Sequence, residues 1–431
     1  MTAVDETPRV RAVVLNYNGR ELTLECLRRL CATEWPADRF EVVLVDNASS
    51  DDVVARTRNE LPGVKIITSD RNLGFAGGCN LALRDLDGID DVALVNSDVL
   101  VKPNWLAPLA QVLRRNQAIG AAGPKILLAS RFREVELRCA THRPGRFDRR
   151  RLGVRLSGTR VGGSDVWRDS HLYEGFWGPE HGSEPEPTFQ WTSGRAALRI
   201  PVAQQSPADE CQLRLAANDV TAVTVVSGRR KIELEVGTEP EWYTVPLDGR
   251  PFDVVNNVGT VLARDGYGAD RGYLQRDHGQ FENPEYVFAW CGGAVLLTTR
   301  YLADVGLFDE RLFLYYEDVE LAWRGRERGW KYRYVPDSVV RHVHSASTVE
   351  GSALFDFYNE RNRLLTLTRH ADRRVLVKAL ARYFLVTGSY ARRDVVIPVL
   401  RGRAPRPRTT FRRLRAFGSY VWIASGFGLR R

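Results

Sequence analysis

Residues 10–16 read VRAVVLN and run directly into Tyr17-Asn18-Gly19. A short β-branched apolar run closed by a turn is the pattern of a buried strand. Outward from it, Leu22, Cys26 and Leu30 recur every four residues, with Leu27 and Cys31 beside them, which predicts an amphipathic helix. EVVLVD at 41–46 predicts a second strand, 51–60 a helix, 64–68 a third strand, 76–86 a helix and VALVN at 92–96 a fourth strand. Apolar strands alternating with helices make an α/β fold, a largely parallel sheet covered on both faces. Ligands of such sheets sit beyond the carboxyl ends of the strands. Asn16, Asp46 and Asn96, with Asp98 just after, therefore converge on one edge.

The alternation breaks after 123–128. Residues 131–168 are rich in Arg and Gly without a sustained period, and 197–247 read as all-β. Cys211, Leu213 and Leu215 alternate with polar residues, as do Ile232, Leu234 and Val236 after a turn at 227–230. This predicts a small antiparallel β-sandwich inserted into the α/β domain. Helix and strand resume near Trp290, with a strand at 295–299, a helix at 317–328 ended by Gly329, and a strand at 331–335. The expected domains are 1–128, 129–251 for the insert, 252–370, and a basic helical tail at 371–431.

Charge separates the tail from the rest. The chain has 431 residues and a formal charge of +9, yet residues 371–431 carry 15 Lys and Arg against Asp372 and Asp394, a net of +13. Leu376, Leu380 and Phe384 make one stripe at helical spacing, with Arg374, Lys378 and Arg382 opposite. Phe411, Leu414 and Val421 with Arg412 and Arg415 suggest a second helix beyond the linker at 401–408. Basic amphipathic helices suit an anionic membrane surface; packed on the body, the same helices would display their arginines to water. A nucleic-acid partner is not expected, because no aromatic stacking platform accompanies the charge. The six cysteines include no CxxC pair, no apolar run approaches membrane-spanning length, and MTAVDETPRV has no signal-peptide pattern. The expectation is a cytoplasmic protein, peripheral on the inner face of the plasma membrane.

Four motifs carry chemistry. Asn96-Ser97-Asp98 ends a buried strand, where a carboxylate can hold Mg²⁺ or Mn²⁺ against a diphosphate, although the same residues are common in turns. RNLGFAGGCN at 71–80 combines the fixed charge of Arg71 with glycines that admit a nucleotide and a helix start that offers N–H groups to anions. Tyr315-Tyr316-Glu317-Asp318 opens a helix, where acidic residues either relieve the dipole or supply a general base. His342 and His344 share a face of an extended segment.

In order along the chain, Asn16-Tyr17-Asn18-Gly19, VDNASSD at 45–51, NLGFAGGCN at 72–80, NSD at 96–98, CGGA at 291–294, GLFDERLFLYYEDVELAWR at 306–324 and the 342–347 stretch resemble the inverting family 2 glycosyltransferases of GT-A fold. Within that family the chain is most similar to bacterial rhamnosyltransferase-like enzymes of cell-wall or surface polysaccharide synthesis. The resemblance covers roughly residues 9–128 and 252–370. It implies a hexosyltransferase that uses a nucleotide diphosphate sugar, Mg²⁺ or Mn²⁺, and a glycan or lipid-linked acceptor. Asp46, with Asn16 and Asn18 beside it, would contact the nucleobase. Arg71, Asn72, Gly74, Gly78 and Asn80 would face the nucleoside and diphosphate, and Asn96 and Asp98 would follow. Asp98 and His342 would meet the metal, Asp318 would be the base with Glu317 as its neighbour, and Trp290, Gly292 and Gly293 would line the sugar and acceptor site. Two features depart from the family pattern: Asn96 stands where many relatives have Asp, and simpler members lack the insert. The alternative reading is a catalytically degenerate glycan-binding protein that uses the inserted sandwich.

Overall fold

The computed structural model describes residues 7–145, 148–181, 188–203, 208–263, 265–343, 352–400, 402 and 404–426. The expected His344 lies outside the described residues. The chain divides into two compact units, one of residues 1–129 and 255–431, the other of residues 130–254.

The first unit opens with β1 (Val10–Asn16), α1 (Arg20–Cys31), β2 (Phe40–Asp46), α2 (Val53–Glu60), β3 (Lys65–Thr68), α3 (Gly74–Leu83), β4 (Asp91–Asn96), β5 (Val99–Leu100), α4 (Leu106–Arg115) and β6 (Ile119–Leu128). β1 is flanked by β2 and β4, all parallel, and β2 by β3. Val10, Ala12 and Val14 pack on one face, against Leu24, Leu27 and Leu30 of α1, while Val13 joins Ala76 and Cys79 of α3 on the other. Period-2 side chains thus bury both faces, which is why the middles of these strands are continuous apolar runs.

The second unit holds β7 (Arg131–Cys139), β8 (Arg155–Val161), β9 (Ser164–Asp165), β10 (His171–Phe176), β11 (Glu180–His181), β12 (Thr188–Val202), β13 (Glu210–Ala216), β14 (Thr221–Ser227), β15 (Arg230–Val236) and β16 (Glu241–Pro246). Its hydrogen bonds run through one sheet in the order β15-β14-β7-β12-β8-β13-β16, rather than through two separate sheets. The 15-residue β12 joins the halves, pairing with β7 over Arg195–Val202 and with β8 at Gln190 and Trp191. Leu198, Val223 and Val225 from one half share a core with Leu213, Leu215 and Val245 from the other, so the sheet folds on itself.

Back in the first unit come β17 (Val255–Asn257), β18 (Thr260–Leu262), β19 (Gly268–Asp270), β20 (Glu285–Val287), β21 (Ala294–Thr298), α5 (Thr299–Val305), α6 (Glu317–Glu327) and β22 (Lys331–His342). The main sheet runs β20-β22-β6-β21-β4-β1-β2-β3. It is mixed, not largely parallel: β21 lies antiparallel to both β4 and β6. That reversal brings the start of β21, with Gly292 and Gly293 just before it, to the edge where β1, β2 and β4 end. β22 is longer than expected. It shifts register between Val335 and Val339 and continues parallel to β6, so His342 reaches the same edge.

Helices α7 (Ala353–His370), α8 (Arg373–Ala391), α9 (Ile397–Leu400) and α10 (Arg408–Ser425) complete this unit. Leu364, Leu365 and Leu367 of α7 form a cluster with Ala379 and Tyr383 of α8, Tyr420 and Ile423 of α10, and Leu312. The expected stripe on α8 is therefore divided: Leu376 and Leu380 pack against this cluster, while Phe384 stands 48% exposed. Of the basic residues named for these helices, Arg382 pairs with Asp265 and Arg412 with Asp356; beside the latter, Arg413 of α10 pairs with Glu360.

Candidate active site

At the end of β1, the Asn16 amide nitrogen donates to Asp46 Oδ1 at 3.1 Å and to Ser49 Oγ at 2.9 Å. Its oxygen accepts from the Gly19 N–H and the Thr23 hydroxyl. Asn16 and Asp46 are buried, so this corner is built by hydrogen bonds inside the protein. Asn18, exposed and at φ 56°, accepts from the N–H and hydroxyl of Ser50. Arg71 is exposed at the mouth of the loop before α3.

That loop differs from expectation in one respect. The first amides of α3 do not stand open for an anion. Gly74 N–H donates to Asn72 Oδ1, Leu73 N–H to Asn47 Oδ1, and the N–H groups of Phe75 and Ala76 both donate to the Phe313 carbonyl. Gly74 serves this contact, and Gly78 lets α3 approach Leu15 of β1. Gly74 sits at φ +71°, where a Cβ would fall 2.2 Å from Phe313 O, and a Cβ on Gly78 would fall 2.4 Å from Leu15 Cδ1. Asn80, expected to face nucleotide, is buried and spends both ends on the Phe308 backbone. Asn47 bridges the end of β2 to this loop, donating to Asn72 Oδ1 and Gly74 O. Nothing in its sequence context set it apart from the turn residues around it.

Asp98 and His342 meet. His342 Nε2 lies 2.9 Å from Asp98 Oδ1, and Nδ1 lies 3.0 Å from Asn256 Oδ1. The backbone supports the pairing: β5 pairs with the end of β22, and Val343 N–H donates to Asp98 O. Asn96 holds the neighbouring backbone, its N–H donating to Gly293 O. Among the described residues no cluster of three or more His, Cys, Asp or Glu surrounds a metal position. Asp98 and His342 still offer a carboxylate oxygen and an imidazole nitrogen side by side. Those donors fit a Mg²⁺ or Mn²⁺ ion that completes its shell with water and phosphate oxygens.

Gly292 and Gly293 separate this pair from the acidic helix. Gly292 N–H donates to Asp318 Oδ2 at 2.9 Å. A Cβ on Gly293 would lie 3.9 Å from His342 Cε1, and one on Gly292 would lie 3.5 Å from Asp318 Oδ2 and 3.7 Å from Phe75. Trp290 is fully buried beneath them, so it packs under the site rather than lining it. Asp318 Oδ1 also accepts from Val319 N–H at 2.7 Å. Burial raises the Asp318 pKa and these two N–H groups oppose the rise. Glu317 is held well above the usual carboxylate range by burial and by the neighbouring Asp318, and Oε2 is buried without a hydrogen-bond partner among the described residues.

The turn before these carboxylates is strained. Phe313, Tyr315 and Tyr316 have φ of 65°, 68° and 68°. Leu314 N–H donates to Leu312 O across Phe313, a γ-turn of the rare positive-φ form. Three such residues cost about 1–3 kcal/mol each.

Residues 12–164 match the sequence model described as glycosyl transferase family 2. An N-acetylglucosaminyl-diphospho-decaprenol L-rhamnosyltransferase of Mycobacterium tuberculosis is 41% identical over 70 residues, 16% of this chain and 23% of that protein. An uncharacterized glycosyltransferase of Haemophilus influenzae is 24% identical over 123 residues, 28% of this chain and 37% of that protein. The chain thus spans less than two fifths of the length of these curated relatives. A mannosyltransferase from Pyrobaculum calidifontis, solved with GDP-Man and Mn²⁺, superposes with a TM-score of 0.43 at 14% identity, over 97% of this chain and 88% of that one. Over residues 12–164 the chain is thus similar to glycosyl transferase family 2, and over the 70 residues shared with the mycobacterial protein it is rhamnosyltransferase-like.

Proposed function

We propose that the protein is an inverting glycosyltransferase of GT-A type that moves a sugar, with rhamnose the first candidate, from a nucleoside diphosphate donor to a hydroxyl of a glycan or lipid-linked acceptor in cell-wall or surface polysaccharide synthesis. The observation that carries this reading is the placement of Asp318 and the Asp98–His342 pair on either side of Gly292–Gly293. In this reading the sugar lies over the two glycines, between a base and a diphosphate site.

The chemistry follows from those positions. An acceptor hydroxyl is a weak nucleophile at neutral pH, and Asp318 takes its proton as the oxygen attacks the anomeric carbon. A base placed this way contributes about 10²–10⁴-fold. Gly292 and Val319 N–H groups aim its carboxylate. The bond to the diphosphate breaks with its electron pair, and attack from the opposite face inverts the centre. Asp98 and His342 would hold the divalent ion, which when bound stabilises charge on the leaving diphosphate.

Tail composition and surface support a peripheral seat on the cytoplasmic face of the membrane, beside lipid-linked acceptors. Leu385, Leu400 and Trp422 are 74%, 81% and 78% exposed, and Arg373, Arg374 and Lys378 of α8 and Arg415 of α10 are exposed as well. Among the described residues no helix is long and apolar enough to cross a membrane.

The test is transfer from dTDP-rhamnose and a panel of UDP- and GDP-sugars to polyprenyl-diphosphate-linked and free glycans, with product anomers read by NMR. One donor should give product of inverted configuration. A product of retained configuration, or a panel in which no donor is bound, overturns the reading.

A further inference from the structure

All five carbonyls from Arg311 to Tyr315 accept hydrogen bonds, and Leu312 O takes the Leu314 N–H of the γ-turn besides those that follow. Phe313 O takes the α3 amides. The other four are met by two consecutive residues in the middle of α7. Arg361 Nη2 lies 2.8 Å from Arg311 O and 2.8 Å from Leu312 O. Asn362 Nδ2 lies 2.8 Å from Leu312 O, 2.8 Å from Leu314 O and 2.7 Å from Tyr315 O. Arg361 Nε donates to Asn362 Oδ1 at 2.8 Å, so the two side chains fix one another. Both are buried, Asn362 completely. The rings of the turn lie on the same helix: Phe313 stacks on Tyr358 with centroids 5.1 Å apart, and Tyr315 meets Phe355 edge-on at 5.0 Å.

A backbone with three positive-φ residues stays in place only when its surroundings over-determine it. Its carbonyls are desolvated, and leaving them unpaired would be costly. We infer that Arg361 and Asn362 are positioning residues for the transfer step, clamping the 311–316 turn so that Asp318 is presented to the acceptor. The inference rests on Asp318 being the base. Neither residue touches the reacting atoms; each acts through the turn.

Asn362→Asp keeps the shape and removes both N–H donors; Arg361→Lys keeps the charge and removes the fork. Hydrogen exchange on the full chain needs no substrate. Amides of 313–319, with Phe75 and Ala76, should exchange at least tenfold faster in each variant, while β1 and β4 stay unchanged. Unchanged exchange at the turn overturns the clamp. With the donor that the transfer panel identifies, turnover should fall tenfold or more with donor affinity held within about threefold. In an Asp318→Asn background the same substitutions should cost almost nothing more, because the residue they aim is already disabled. A full additional loss there, or a fall in donor affinity that accounts for the lost rate, overturns the positioning role. If Asp318→Asn itself keeps wild-type turnover, the assignment of the base is wrong, and the exchange arm still decides whether the clamp exists.

Discussion

Glu317 and Asp318 are adjacent in sequence and opposite in environment. Asp318 accepts two backbone N–H bonds, which favour its anion, and it is partly open to solvent. Glu317 is buried and lacks such donors at Oε2. Of the two, Asp318 is therefore the better seat for the anion and Glu317 for the proton. Asp318→Asn should lower turnover by about 10²–10⁴-fold with donor binding intact, measured on one preparation, and Glu317→Gln should cost much less. Comparable losses in the two variants would reject this division of roles. Stability adds an independent check. The folded-state pKa of Glu317 lies above its unfolded value, so the native state holds a proton that the unfolded state releases. Stability from Glu317 is then present below the unfolded pKa and lost as pH rises toward the folded one. Glu317→Gln should accordingly gain in Tm relative to wild type on going from pH 5 to pH 8; a difference that does not change with pH sinks the argument. At the other side of the glycines, Asp98→Ala should weaken Mn²⁺ binding in the presence of nucleoside diphosphate, and chelation should abolish transfer. Asn256→Ala, which frees His342 Nδ1, should lower Mn²⁺ affinity about 10–100-fold, read by calorimetry.

Helix α3 shows how an element can be legible while its partner is not. Its glycines are visible in GFAGG at 74–78, and so is their meaning, a close approach. What approaches Gly74 is Phe313 O, from a segment about 240 residues away, rather than a phosphate, while Gly78 packs on Leu15 of β1. Gly74→Ala should therefore act on the distant turn. It forces φ +71° on a residue with a Cβ and drives that Cβ into a carbonyl, costing about 1–3 kcal/mol in a melt. Turnover should drop beyond what lost stability explains, and wild-type turnover would break the link. Strand ends were readable for a simple reason: a buried parallel strand is apolar to its last residue, so Asn16, Asp46, Asn96 and Asp98 stand out. The acidic pair and His342 were readable from the ordered motifs, and the structure brings Asp98 and His342 into contact. α7 was not legible. Arg361, Asn362 and Arg363 are three consecutive polar residues that are all buried, which reverses the pattern by which sequence signals a core. Asn256 and Asn47 were hidden because their partners lie 86 and 25–27 residues away. The reversal of β21 was hidden too, since an apolar run of five carries no direction.

Across the whole molecule, the chain leaves and re-enters the first unit at neighbouring points, because Leu127 of β6 pairs with Val255 of β17. Replacing residues 130–254 by a short Gly/Asn loop should leave the first unit folded and able to bind donor, by melt and calorimetry; loss of donor binding in a folded variant would mean that the second unit supplies part of the site. The tail does not permit that kind of excision. Cutting after His370 removes Ala379, Tyr383, Tyr420 and Ile423 from the cluster that holds Leu312 of the 311–316 turn. Point substitutions on its outer face avoid this. Burying an apolar side chain is worth about 1.5–3 kcal/mol when complete, and each basic residue that reaches anionic lipid adds about 1 kcal/mol, screened by salt. Several of the tail's cations are already committed to Asp265, Asp356 and Glu360, so the apolar contribution should weigh more than a net of +13 suggests. The full chain should cosediment with anionic vesicles well and with neutral vesicles poorly, and high salt should weaken binding without abolishing it. The triple substitution Leu385→Asp, Leu400→Asp and Trp422→Asp changes only residues at least 74% exposed, so its Tm and its turnover on a water-soluble acceptor should stay near wild type. Its vesicle binding should fall at least tenfold at every salt concentration. If the triple variant binds anionic vesicles as well as the wild type does, the outer face of α8 to α10 is not the lipid contact, and the exposed arginines alone must account for any binding that remains.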